Sequence, residues 1–192
     1  MKNANTPKDK LFQTAGRLFY QHGYRAIGVD TIAAESGIGK MTLYRHYPSK
    51  DDLIVAFLEQ SDEDFWSHYH LSANDAPRAS DKLLAFFSSL QAYVLSPDCY
   101  GCPFLNVATE FPEPDYKGHQ VALEHKQRVL ARFEELAREC GADRPKALAN
   151  SLFLLMDGAY MAARMFGSSE DNPAADLAEA ARQLIEAHCG VQ

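Results

Sequence analysis

An all-α protein of about nine helices is what this sequence predicts, and three observations carry the prediction. No alternation of apolar and polar residues is sustained anywhere in the 192 residues. Apolar residues instead recur at helical spacing throughout, and glycines and prolines punctuate the ends of those segments. The chain is 46% hydrophobic and 23% charged, enough for one or two domains with a real core.

The elements follow in order. Lys8 to His22 sets Leu11, Ala15, Leu18 and Phe19 on one face and stops at Gly23. Ile32, Ala33 and Ser36 form the inner side of a two-turn helix that Gly37 ends. Ile38 points back to the core, Leu43 and Tyr47 secure the next short helix, and Pro48 stops it. Asp51 to about His70 is a long helix that opens with acids suited to the helix dipole. After the loop SANDAPRAS come the segments DKLLAFFSSLQAYVL, PFLNVATEF, Tyr116 to Glu139, PKALANSLFLLMDGAYMAARMF and AADLAEAARQLIEAHC. The most apolar of these carries Asn150, Asp157 and Arg164, which are costly in lipid, so it reads as a core helix and not a membrane span.

Net charge is −7, yet it is unevenly spread. Residues 1–50 hold eight Lys/Arg against three acids, net +5, which leaves −12 on the remainder. A small basic head for a polyanion on an acidic body fits that split, with the division expected at 1–52 and 53–192. The start, MKNANTPKDK, lacks the apolar run of a signal peptide, and the four cysteines read as thiols more readily than as a disulfide framework; both point to a cytoplasmic protein.

Within the head, the two short helices around Gly37 spell a helix-turn-helix. Ala33 is small where helices cross, Gly37 supplies the positive φ of the turn, and Leu43 anchors the second helix from below. Together with Ile32, Ile38 and Tyr47 these form its core. Left facing outward are Lys40, Thr42, Tyr44, Arg45 and His46, side chains of the kind that read base edges and bind phosphates. Lys50, at the start of the following helix, is placed to grip a phosphate with the free N–H groups of that helix end.

These same residues carry a resemblance. From about Leu11 to Leu58, with LF at 18–19, GY at 23–24 and TIAAESGIGKMTLYRHYPSKDDL at 31–53, the chain resembles the N-terminal domain of the TetR family of bacterial one-component transcription repressors. The resemblance implies an Ω-shaped homodimer on a palindromic double-stranded DNA operator. A C-terminal helical domain would bind a small effector and dimerise, and the effector would release the DNA heads. By match of position, Thr42, Tyr44 and His46 contact bases or phosphates, while Lys40 and Lys50 contact phosphates. Gly28 and Gly39 depart from the family pattern, since many members place Ser or Thr there as helix caps.

Beyond the head the residues are less explicit. An effector pocket is expected from Phe86, Phe87, Leu90, Tyr93, Phe104 and Tyr160, with Asn106 and Asp157 as its polar members. Each is equally explained by core packing or by inter-helix hydrogen bonds. For dimerisation, Gly158, Ala159, Ala162 and Ala163 permit close approach, and Leu177, Ala181, Leu184 and His188 stripe the last helix, so a four-helix interface of the last two helices is expected. In DCYGCPFLNVATE, Cys102 precedes Pro103 at a helix start, a position that favours thiolate, and Cys99 lies three residues away as a resolving thiol; an unreactive buried pair of thiols is the alternative. That stretch also resembles the GC-containing segment of family members that sense oxidants or electrophiles.

No phosphate-binding glycine loop, Ser/His/Asp order or βαβ setting for the CxxC is present, so an enzyme is not expected, and no cofactor is called for. Zinc would need distant His119 or His125, so no metal is expected either. An all-α adaptor for other proteins, or a thiol redox protein without operator binding, is the alternative reading.

Overall fold

The computed structural model describes residues 6–73 and 76–189, and these residues are helical almost throughout. The helices are α1 (Pro7–His22), α2 (Val29–Ser36), α3 (Lys40–His46), α4 (Lys50–Ala73), α5 (Ala79–Val94), α6 (Pro103–Glu110), α7 (Lys117–Glu139), α8 (Pro145–Phe166) and α9 (Leu177–Cys189), with a 3-10 turn at Pro173–Asp176 before the last. The opening pentapeptide and the middle of the SANDAPRAS loop lie outside the described residues. Among the described residues no strand occurs, and no helix is long and apolar enough to cross a membrane.

Local chemistry explains where helices begin. Thr6 caps α1 by accepting the Asp9 N–H at 3.1 Å, and its hydroxyl donates to the Asp9 carboxylate at 2.6 Å. Ser49 does the same for α4, accepting the Asp52 N–H at 3.0 Å and donating to its carboxylate at 2.7 Å. That cap is why α4 starts at Lys50, one residue before the position expected from its acidic first turn.

Packing divides the chain into two compact units. One comprises Met1–Glu63 with Pro103–Leu123, the other Asp64–Cys102 with Glu124–Gln192. This division differs from the boundary expected after residue 52, because α6 packs with the helices of the head. The first unit is cored by Leu11, Phe19, Tyr24, Ile32, Leu43 and Leu58, all with no exposed surface. Each such side chain contributes about 1.5–3 kcal/mol by leaving water. In the second unit Phe86, Phe87 and Phe133 meet with ring centroids 5.2–5.8 Å apart, and Leu148, Leu152 and Met156 of α8 are fully buried. α9 packs against α5 and α8 through Leu177, Ala181 and Ile185.

Four cysteines had been expected as thiols. Cys140 and Cys189 are instead joined in a disulfide, while Cys99 and Cys102 are buried thiols. Forty-nine residues separate the bonded pair, a spacing that periodicity cannot connect; the fold brings the ends of α7 and α9 together.

Candidate functional site

The helix-turn-helix is held from beneath. Ile32 and Leu43 are completely buried, and Tyr47, which caps α3, packs with Phe12 of α1 at a ring separation of 6.4 Å. Gly37 adopts the left-handed conformation, φ 66°, ψ 20°, that a side chain at this position would resist. Ser36, buried at the same corner, donates its hydroxyl to the Ala33 carbonyl and accepts the Ile38 N–H at 3.2 Å. This bridge across the turn is a role that apolar periodicity does not reveal. Ala33 and Ile38 are half-buried.

With that face fixed, the opposite face of α3 is set by the helical repeat. Lys40, Tyr44 and Arg45 are exposed, Tyr44 by 45%, whereas Thr42 and His46 are half-buried. Met41, which is not among the residues expected on this face, is its most exposed large apolar side chain, at 83%. The signal was available: an unbranched apolar residue beside Leu43, but off its face, suits contact with a thymine methyl. Lys40 forms an ion pair with Asp30 of α2, and that carboxylate's hydrogen bond raises the lysine's pKa. Both partners are exposed, so the pair opens cheaply when a phosphate competes.

Helices α2 and α3 begin at Gly28 and Gly39 with no side-chain cap, as the sequence indicates. Lys50 stands at the first position of α4, half-buried. Burial lowers its pKa, opposed by the nearby charges of Asp51 and Glu110.

Glu110, at the end of α6, is a residue the sequence did not single out. One carboxylate oxygen accepts the Tyr24 N–H at 2.9 Å and the other the Arg25 N–H at 2.6 Å, immediately after α1. Gly23 makes room: a Cβ there would lie 2.8 Å from the Glu110 oxygen, and φ is 90°. Tyr24 returns the contact by donating its hydroxyl to the Pro103 carbonyl at 2.9 Å. The two ends of α6 are thus tied to the junction that leads into the helix-turn-helix.

Of the expected pocket residues, Phe86, Phe87 and Leu90 lie in the packed core of the second unit, and Phe104 and Asn106 lie on α6 in the first. Tyr93 and Tyr160 meet edge to face at 6.4 Å. Burial, and then the neighbouring Cys102, Tyr93, Cys99 and Asp157, hold the Tyr160 pKa well above its ordinary value, so its hydroxyl stays a neutral donor. Asp157 is engaged by Lys126, and Arg164 donates to the Tyr100 carbonyl at 3.1 Å. Ser96 Oγ, in the turn leading to Cys99, is buried without a hydrogen-bond partner among the described residues. Among those residues no group of three or more His, Cys, Asp or Glu is placed to hold a metal.

Of the residues expected on the contact face of the last helices, Gly158 is exposed and Ala162, Leu184 and His188 are half-buried. Ala159, Ala163, Leu177 and Ala181 are all buried within the protomer, filling the contact of α8 with its neighbours. The face of α8 left outward is Leu154, Gly158, Met161 and Met165, spaced by four, three and four residues, with Leu154 exposed by 69% and Met165 by 73%.

Comparison with known proteins agrees with this geometry. Residues 11–57 match the family model described as bacterial regulatory proteins, tetR family. An HTH-type transcriptional regulator of Staphylococcus aureus (strain USA300) is 32% identical over 74 residues, and the match spans 38% of this chain and only 40% of that curated relative's length. Among solved structures, SCO4454, a TetR-family transcriptional regulator from Streptomyces coelicolor, is 32% identical with a TM-score of 0.85, over 94% of this chain and 93% of its own. The tetR transcriptional regulator sav143 from Streptomyces avermitilis is 28% identical with a TM-score of 0.84, over 96% and 98% of the two chains. On the matched head and on a likeness that spans more than nine-tenths of both chains, this chain belongs to the TetR family of bacterial transcription regulators.

Proposed function

We propose that the protein is a homodimeric, one-component repressor that holds a two-fold symmetric DNA operator and leaves it when a small molecule binds the helices beyond the head. The observation that carries the reading is the outward face of α3, where Lys40, Met41, Tyr44 and Arg45 project while Leu43 and Tyr47 anchor the helix. Such a helix offers phosphate, base-edge and methyl contacts together. Thr42 and His46 flank them, and Lys50 adds a phosphate contact at the start of α4.

The exposed apolar face of α8 supports a second copy as its partner, with Gly158 allowing close approach of two helices. A DNA site of two half-sites then follows from the symmetry. For the effector, Tyr93, Tyr160, Asp157 and the buried thiols Cys99 and Cys102 support a mainly apolar or electrophilic molecule, and the unsatisfied Ser96 hydroxyl offers it a hydrogen bond.

The test is binding of the purified protein to fragments of its source genome at two salt concentrations. Retention of a short palindrome, weakened by Arg45→Ala and more than tenfold by raised salt, is the expected result. Retention of no DNA, with capture of a partner protein instead, would favour the adaptor reading.

A further inference from the structure

The corner where α7 gives way to α8 is docked on the end of α9 by two kinds of contact. Asp143 donates its N–H to the His188 carbonyl at 3.2 Å, and its carboxylate meets His188 Nδ1 at 3.2 Å. Beside them Cys140 and Cys189 are bonded through sulfur, with Cα atoms 5.9 Å apart. Cys140 is held at this spot by α7 itself: its N–H bonds the Leu136 carbonyl at 2.9 Å, and the next two residues turn back to Arg138 and Ala137 at 3.0 Å. The polar contacts join the same two backbone segments through bonds that do not involve sulfur.

We propose that Cys140 and Cys189 are a reversible dithiol–disulfide pair that fastens the C-terminal helix to the α7–α8 corner when the protein meets a peroxide. The chemistry is balanced by one peroxide. A thiolate attacks the O–O bond, taking up one oxygen as a sulfenic acid while the other leaves as hydroxide and is protonated to water. The second thiol then displaces the sulfenic oxygen as a second water, and the S–S bond forms. Two thiols lose two electrons and two protons; the peroxide becomes two waters. An external dithiol reverses the step and is itself oxidised.

Position supports a durable fastening. Both residues are partly exposed, so oxidant and reductant can reach them. Closing the 49-residue separation restrains the unfolded chain from the end of α7 through α8 and α9. The inference is independent of operator binding.

The protein is reduced with dithiothreitol, freed of it, and treated with mild hydrogen peroxide. It is then alkylated under denaturing conditions, mapped by peptide mass spectrometry without reduction, and melted in parallel. The expected result is a peptide pair joining Cys140 to Cys189 within one chain, and a Tm about 5–10 °C above that of the reduced protein. The rise should vanish in Cys140→Ser and in Cys189→Ser. Alkylation of both residues in peroxide-treated wild type, a bridge between chains, or a Tm rise that survives Cys140→Ser overturns the proposal.

Discussion

Removing the Glu110 carboxylate should loosen the head more than its surface position suggests. In Glu110→Ala the Tyr24 and Arg25 N–H groups, bonded at 2.9 and 2.6 Å, lose their acceptor. The Tyr24 amide is part-buried, and leaving it unpaired costs about 1–3 kcal/mol; the Arg25 amide is exposed, so water replaces most of its bond. The sum is about 1–3 kcal/mol, which for a chain of this size lowers Tm by about 2–12 °C. Glu110→Gln keeps one acceptor oxygen but brings an NH2 group against the other amide, so its Tm should fall between wild type and Glu110→Ala. Differential scanning calorimetry reads both, with Glu113→Ala as a neighbouring acidic control. Glu110→Ala melting within 1 °C of wild type would refute the reasoning, because the two hydrogen bonds would then contribute nothing.

Other expectations follow from the same contacts. Gly28→Ser should stabilise by about 0.5–1 kcal/mol, since its φ of −88° suits any residue, nothing lies within 4 Å of the added Cβ, and α2 gains a side-chain cap; urea unfolding measures it. Gly37→Ala, by contrast, must place a Cβ at φ 66° and should destabilise by about 1 kcal/mol in the same assay. The Ser49 hydroxyl, and then Lys117, hold the Asp52 carboxyl below its ordinary pKa. A lowered folded-state pKa stabilises above the usual carboxylate range and is lost as pH falls through it, so the Tm gap between wild type and Asp52→Asn should close in acid. Leu154→Glu, on the exposed face of α8, should shift sedimentation from dimer toward monomer while leaving the helical circular dichroism intact.

How legible the molecule is from sequence depends on the range of the interactions. The helix-turn-helix was legible because its determinants are local: Ile32, Gly37 and Leu43 fall within twelve residues, and the repeat of the helix fixes which side chains face out. The uncapped Gly28 and Gly39 are legible through the resemblance, as departures from the Ser or Thr of many family members. Glu110 was not legible, since its partners lie 85 and 86 residues away and a carboxylate at a helix end reads as solvated. Neither was the pairing of Cys140 with Cys189, which depends on where two helix ends meet. On α8 the alanines by themselves suit a contact surface between copies. Small residues serve equally where helices of one protomer cross, and Ala159 and Ala163 are used that way, leaving Leu154 and Met165 outward. Met41 is exposed without being charged, so a search for cations and hydrogen-bonding side chains on α3 does not reach it.

The central claim is that the outward face of α3 reads double-stranded DNA, and selection from a random duplex library followed by fluorescence anisotropy tests it most directly. The account predicts enrichment of a two-fold symmetric site. Arg45→Ala and Met41→Ala should then weaken the selected site by about 1–3 kcal/mol each and relax preference at particular base pairs, whereas Lys50→Ala should weaken all sequences alike and flatten the salt dependence. Enrichment of no sequence, or a selected site bound equally well by wild type and by Arg45→Ala and Met41→Ala, would contradict it.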